Sequence, residues 1–141
     1  REKDVTFDWD KALSFEGHSG PYIQYAYVRA KKISEAGGSS DPQKSQRVDG
    51  GISASDKLLI QTLAGFDEAV MNTAKTYKPH HIALYAYELA GNFNSFYVHT
   101  PKILDEENES IRAFRLTMIQ KTKQTLEKSF ELLGIHMPSE M

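Results

Sequence analysis

One stretch of this chain carries residue types that can do chemistry at a spacing that brings them together. Residues 20–33 read GPYIQYAYVRAKKI. On a helix, Ile23, Ala26, Tyr27, Ala30 and Ile33 share one face, which is an adequate core stripe. Tyr22, Tyr25, Arg29 and Lys32 share a second face centred about 120° away. A helix that already has a core face has no packing need for two more tyrosines outside it. Tyrosine rings beside Arg and Lys supply π-surfaces next to phosphate partners, the local chemistry that holds unstacked RNA bases. The competing reading is structural, with both tyrosines packed on a neighbouring helix.

Other chemistry finds less support. The five histidines, His18, His80, His81, His99 and His136, form no familiar metal-ligand spacing with one another or with carboxylates. His80 and His81 are adjacent, so on a helix they point about 100° apart. No nucleophile-elbow, zinc-protease or P-loop pattern occurs. There is no cysteine, which excludes disulfides, Cys-ligated zinc and thiol nucleophiles. No catalytic residue and no metal ligand is nominated.

The balance of charge constrains any nucleic-acid role. Lys plus Arg number 17 and Asp plus Glu 19, a net charge of −2. A polyanion binder usually shows a basic footprint, so binding here must come from local chemistry rather than the overall field. The 141 residues, 40% apolar with seven Tyr and seven Phe, are enough for one globular domain with a real core. No apolar run approaches the ~20 residues of a membrane helix. The chain opens on Arg1 without a signal peptide, so a fragment of a longer, intracellular protein is expected.

The elements that must position these residues are mostly helical. Val5, Phe7 and Trp9 alternate with polar residues, which suggests a short extended entry within a lead-in over residues 1–16, with Asp10 able to cap a turn through Leu13. Gly20 and Pro21 open the helix over residues 20–36, and Gly37–Gly38 closes it. Residues 37–51 lack apolar periodicity and read as a mobile loop. Ser53 followed by Asp56 signals a capping box ahead of a helix over about 54–64. Gly65 breaks it, and a further helix runs to about Thr76. Pro79 opens another to about Tyr97, with Ile82, Tyr85, Leu89, Phe93 and Phe96 on its buried face. Pro101 and the acidic DEENE stretch connect to a long helix from Ser110 to Leu133, capped by Asn108 or Ser110 and ended by Gly134. The expected fold is an all-α bundle of about five helices with a short extended N-terminal segment.

Three blocks in order carry a family resemblance. SGPYIQYAYVRA, residues 19–30, resembles the opening helix of the C-terminal domain of arginyl-tRNA synthetases, and FDWDKALSFEG before it resembles the family's lead-in. PHHIALYAYELAGNFNSFY is similar to the helix ending in Phe-Asn-x-Phe-Tyr. IRAFRLTMIQKTKQTLEKSFELLGIHMPSEM resembles the last helix and its Leu-Gly-Ile…Pro-x-x-Met terminus. The resemblance covers nearly the whole chain and implies the helical anticodon-binding fold called DALR. One departure stands out. The tetrapeptide behind that name should lie near Arg112–Arg115, which reads Arg-Ala-Phe-Arg, so only its alanine and last arginine fit.

The resemblance implies that aromatic residues contact a tRNA anticodon loop. By position these are Tyr22 and Tyr25 from the first block and Tyr97 from the second, with Met141 near the same loop. Arg29 fits the motif and serves either phosphate or fold. Taken alone, the sequence would make Tyr97 a core residue at a helix end. Arginine codons have G in the middle, so the reader of the matching tRNA meets a central C, and needs an aromatic stack plus groups for the base edge. The resemblance implies arginine tRNA and the catalytic domain of the same chain as partners, with ATP and Mg used by a cytoplasmic parent enzyme. No cofactor is expected in this domain, and alone it should be catalytically silent. The alternatives are a DALR domain of another synthetase, such as a glycyl enzyme subunit, or a helical protein-interaction adaptor using the tyrosine face as a hot spot.

Overall fold

The computed structural model describes residues 6, 8–13, 19–38, 51–100 and 103–141. These form α1 (Trp9–Leu13), α2 (Gly20–Gly37), α3 (Ala54–Ala64), α4 (Phe66–Thr76), α5 (His80–His99), a 3-10 turn (Ile103–Asp105) and α6 (Glu109–Leu132). No strand occurs among the described residues, so the all-α expectation holds. The extended entry is corrected in part. Trp9 belongs to α1, with Asp10 in its first turn where a carboxylate favours the helix dipole. Val5 and Phe7 lie outside the described residues, as do His18, Pro101 and most of the loop expected over 37–51.

The caps follow local chemistry. Ser19 Oγ accepts from the Tyr22 amide at 3.3 Å and starts α2. Ser53 and Asp56 complete the capping box: the Asp56 amide donates to Ser53 Oγ at 3.1 Å, and the Ser53 amide donates to Asp56 Oδ2 at 2.7 Å. Gly134 adopts φ 74°, a left-handed geometry that favours glycine. The Gly134 amide then donates to the Glu131 carbonyl at 3.0 Å and the Ile135 amide to the Phe130 carbonyl at 2.9 Å. This is a Schellman closure of α6, and it turns the chain back towards the bundle.

Helix α5 is the hub, packed against α2, α3, α4 and α6, while α2 and α6 share the most extensive helix pair. Leu89, Phe93 and Phe96 of α5 are fully buried with Leu59, Ile119 and Leu126. Ile23, Ala26, Tyr27 and Ala30 of α2 join them as the core stripe requires. Asp56 is also fully buried, and Arg115 Nε lies 3.4 Å from its Oδ1 while Arg115 Nη1 lies 2.8 Å from Glu106 Oε2. The arginine at the end of the Arg-Ala-Phe-Arg stretch therefore ties α6 to the start of α3 and to the turn before α6. It has a structural task.

Candidate nucleic-acid interface

The exposed edge of α2 meets the last turn of α5. Arg29 and Tyr25 are one helical turn apart, about 40° from each other around α2. The Arg29 guanidinium lies 4.6 Å from the Tyr25 ring centroid and 4.7 Å from that of Tyr97. Both distances suit cation–π attraction. Arg29 Nη2 donates to the Tyr25 hydroxyl at 2.8 Å, and Nη1 donates to Asn94 Oδ1 at 2.9 Å. Two rings and an amide from two helices thus hold one guanidinium, which carries five N–H donors and commits two of them here. Tyr25 and Tyr97 remain 43% and 40% exposed, so each ring presents surface to solvent as well as to the cation.

The C-terminal segment completes the site. After the Schellman turn, Met137 packs on the core and Lys31 Nζ donates to the Ser139 carbonyl at 3.1 Å. The segment therefore crosses back over α2, and Met141 joins Tyr25, Arg29, Lys32, Ile33 and Tyr97 around an open cavity of about 240 Å³. A polarisable thioether beside two phenol rings and a guanidinium makes a slot suited to a flat, partly polar group.

Four of the five residues singled out in the sequence are thus neighbours: Tyr25, Arg29, Tyr97 and Met141. Tyr22 goes elsewhere. Its ring packs against the core at 5.3 Å from the Tyr87 ring, tilted by 43°, and it does not line this cavity. The helical wheel holds the reason, because Tyr22 lies only about 20° from the direction of Ile33 at the edge of the buried stripe. Tyr97 is not the core residue that its spacing from Phe93 indicates. It sits in the last turn of α5, where packing against α2 gives way to solvent. Asn94 was not singled out in the sequence, although it precedes Tyr97 by one turn. Its role appears only when α5 lies beside Arg29, 65 residues away. Among the described residues, no group of three His, Asp or Glu side chains is placed to hold a metal ion, and no helix is long and apolar enough to cross a membrane.

Residues 23–141 match the family described as the DALR anticodon binding domain. The chain belongs to that family. This DALR domain is 40% identical over its whole length to an arginine–tRNA ligase of Pasteurella multocida, covering 25% of that protein. It is 41% identical over 139 residues to one from Aliivibrio fischeri, covering 23% of it. The domain therefore spans about a quarter of the length of the curated relatives it matches. Among solved structures, a Thermus thermophilus arginyl-tRNA synthetase superposes with a TM-score of 0.85 at 34% identity, over 99% of this chain and 24% of that one. A Campylobacter jejuni chain at 21% identity shares the fold, with a TM-score of 0.75.

Proposed function

We propose that this domain reads the anticodon loop of arginine tRNA within an arginine–tRNA ligase. The observation that carries the proposal is the guanidinium of Arg29 held between the half-exposed rings of Tyr25 and Tyr97 beside an open cavity. An unstacked base stacks on the exposed ring surface, and the guanidinium presents N–H groups towards the base edge or its phosphate. Met141 closes the slot from the far side. Local chemistry of this kind works at a net charge of −2 when the rest of the enzyme supplies the electrostatic attraction for tRNA. Tyr22 contributes by supporting α2 against Tyr87, with its rim available to the loop as a lesser contact.

Similarity to arginine–tRNA ligases over the full length of the chain supports arginine tRNA over a glycine-specific partner. In that setting the 141 residues form a single domain that docks on the catalytic domain of the same polypeptide. The catalytic domain carries out ATP- and Mg-dependent activation of arginine in the cytoplasm, and this domain contributes only the reading of the tRNA. The test is binding of the full-length protein to arginine tRNA and to the same transcript with the central anticodon C replaced. A loss of at least tenfold on replacement is expected. Equal binding of the two transcripts overturns the proposal.

A further inference from the structure

Arg115 and Arg29 each sit between helices, and they keep different company. Arg115 is matched by carboxylates, with Asp56 at 3.4 Å and Glu106 at 2.8 Å. Among the described residues, Arg29 is held by neutral groups alone: the Asn94 amide, the Tyr25 hydroxyl and the rings of Tyr25 and Tyr97. No carboxylate among them pairs with it. Arginine carries N–H donors and no acceptor, so the Asn94 side chain must turn its oxygen towards Nη1. At 2.9 Å that bond fixes the guanidinium across the contact of α2 with α5. An aspartate of the same shape would hold it more tightly, because both partners would then be charged. The amide instead orients the cation and leaves its charge intact. The cavity beside it has no acidic side chain in its described lining, and Lys32 adds a second cation. In a chain of net charge −2, this is a local concentration of positive charge suited to an anion.

We propose that Asn94 is a positioning residue that fixes Arg29 without neutralising it, so that the whole charge of the guanidinium meets a phosphate of the bound tRNA. The proposal rests on the anticodon-loop reading given above and chooses the phosphate over the base edge as the partner of Arg29. The rings of Tyr25 and Tyr97 attract the cation through their quadrupoles and remove none of its charge. Two of its five N–H donors go to Asn94 and Tyr25. The others remain for phosphate oxygens, which a guanidinium can engage in pairs. Because two hydrogen bonds already hold the side chain, less of its rotamer freedom is lost when the phosphate arrives. A contact of this kind displaces a counterion from the RNA, so its strength depends on salt.

The experiment uses the full-length protein. Wild type, Asn94→Asp, Asn94→Leu and Arg29→Met are titrated with arginine tRNA from about 0.05 to 0.4 M salt. Asn94→Asp keeps the shape of the amide and stays ionised beside Arg29. It is expected to weaken binding about tenfold at about 0.1 M salt and to lower the magnitude of the salt slope by about 0.7. Arg29→Met lowers the slope by the same amount, since either change takes one positive charge from the site. Asn94→Leu keeps the charge and loses the hold, so binding weakens about threefold to tenfold at a slope near that of wild type. Asn94→Asp melts at or above the wild-type temperature, because an ion pair replaces a bond to a neutral amide. Wild-type affinity or an unchanged salt slope for Asn94→Asp overturns the proposal. So does wild-type affinity for Asn94→Leu, since the amide would then position nothing that tRNA uses. A loss by Asn94→Asp that tracks a lowered melting temperature also overturns it, because the amide would then serve the fold. Replacing the central anticodon C in the tRNA bound by wild type is a separate check. If that leaves binding unchanged, the anticodon-loop reading itself fails, whatever the Asn94 variants show.

Discussion

Replacing Tyr25 separates the ring from its hydroxyl. Tyr25→Ala removes the stacking surface, one cation–π contact with Arg29 and the hydrogen bond to Arg29 Nη2. Base stacking on an aromatic ring is worth roughly 1–3 kcal/mol by alanine substitution, which corresponds to a loss of about fivefold to 150-fold in binding. Tyr25→Phe keeps the ring and loses only an exposed hydrogen bond, worth about 0.5–1.5 kcal/mol. Arg29 keeps Asn94 and both rings in that variant, so tRNA use should fall about threefold or less. The stability cost of Tyr25→Ala is bounded in the same way. An exposed cation–π contact contributes about 0.5–1 kcal/mol, and with the hydrogen bond the total is at most about 2.5 kcal/mol. The assay is kcat/KM for charging of arginine tRNA by the full-length protein, beside arginine-dependent pyrophosphate exchange and a melting curve. Charging should fall at least about fivefold for Tyr25→Ala while exchange hardly changes and the protein stays folded at the assay temperature. Charging that is unchanged, or that falls only in proportion to an unfolded fraction, refutes the stacking role and leaves Tyr25 as packing.

Deleting Met141 should lower charging several-fold while shifting stability by less than about 0.5 kcal/mol, because the side chain is 48% exposed; charging kinetics beside thermal melting check this. Asp56→Ala removes half of the capping box and the buried partner of Arg115. A loss of about 2–4 kcal/mol is expected in urea unfolding, below the full cost of breaking a buried pair because Arg115 keeps Glu106; an unaltered midpoint would contradict the role given to this ion pair. Burial, reinforced by the charges of Glu88 and Asp67, pushes the Tyr85 hydroxyl above its ordinary pKa of 10.0. The folded state therefore keeps this proton after the unfolded chain has lost it. Its contribution is full below about pH 10 and is lost as pH rises from there towards the folded value. Tyr85→Phe should flatten that alkaline decline and cost about 1 kcal/mol at neutral pH, because the Tyr85 hydroxyl donates to the Thr62 carbonyl at 3.0 Å. Unfolding free energies measured between pH 7 and 11 decide it.

Much of this fold was written in short-range patterns. The capping box at Ser53 and Asp56, the proline that opens α5 and the glycine that closes α6 act within one turn, so a few adjacent residues determine them. The buried faces of α2 and α5 follow from a 3.6-residue period and nothing more distant. The pairing of aromatic and basic residues outside the core stripe was equally visible, and it pointed to Tyr22, Tyr25, Arg29 and Lys32 alike, without separating Tyr22 from the others. The family resemblance added Tyr97 and Met141, which periodicity alone would have left as a core residue and a frayed end.

What only the tertiary structure decided is which of these side chains meet. Tyr22 and Tyr25 are of one type on one helix, three residues apart, yet Tyr22 packs against Tyr87 and Tyr25 faces the cavity. The helical wheel places Tyr22 at the edge of the buried stripe, but where α5 crosses α2 decides that this edge is covered and the Tyr25 edge is open. Asn94 and Arg29 are joined only because that crossing brings Nη1 and Oδ1 to 2.9 Å. Tyr97 leaves the core because α5 runs past the edge of its packing partner. Met141 reaches α2 because the Schellman turn reverses the chain and Lys31 holds Ser139. Helices form from interactions that close within a turn, whereas a binding site is the sum of directions contributed by several of them. Those directions exist only after the helices have packed.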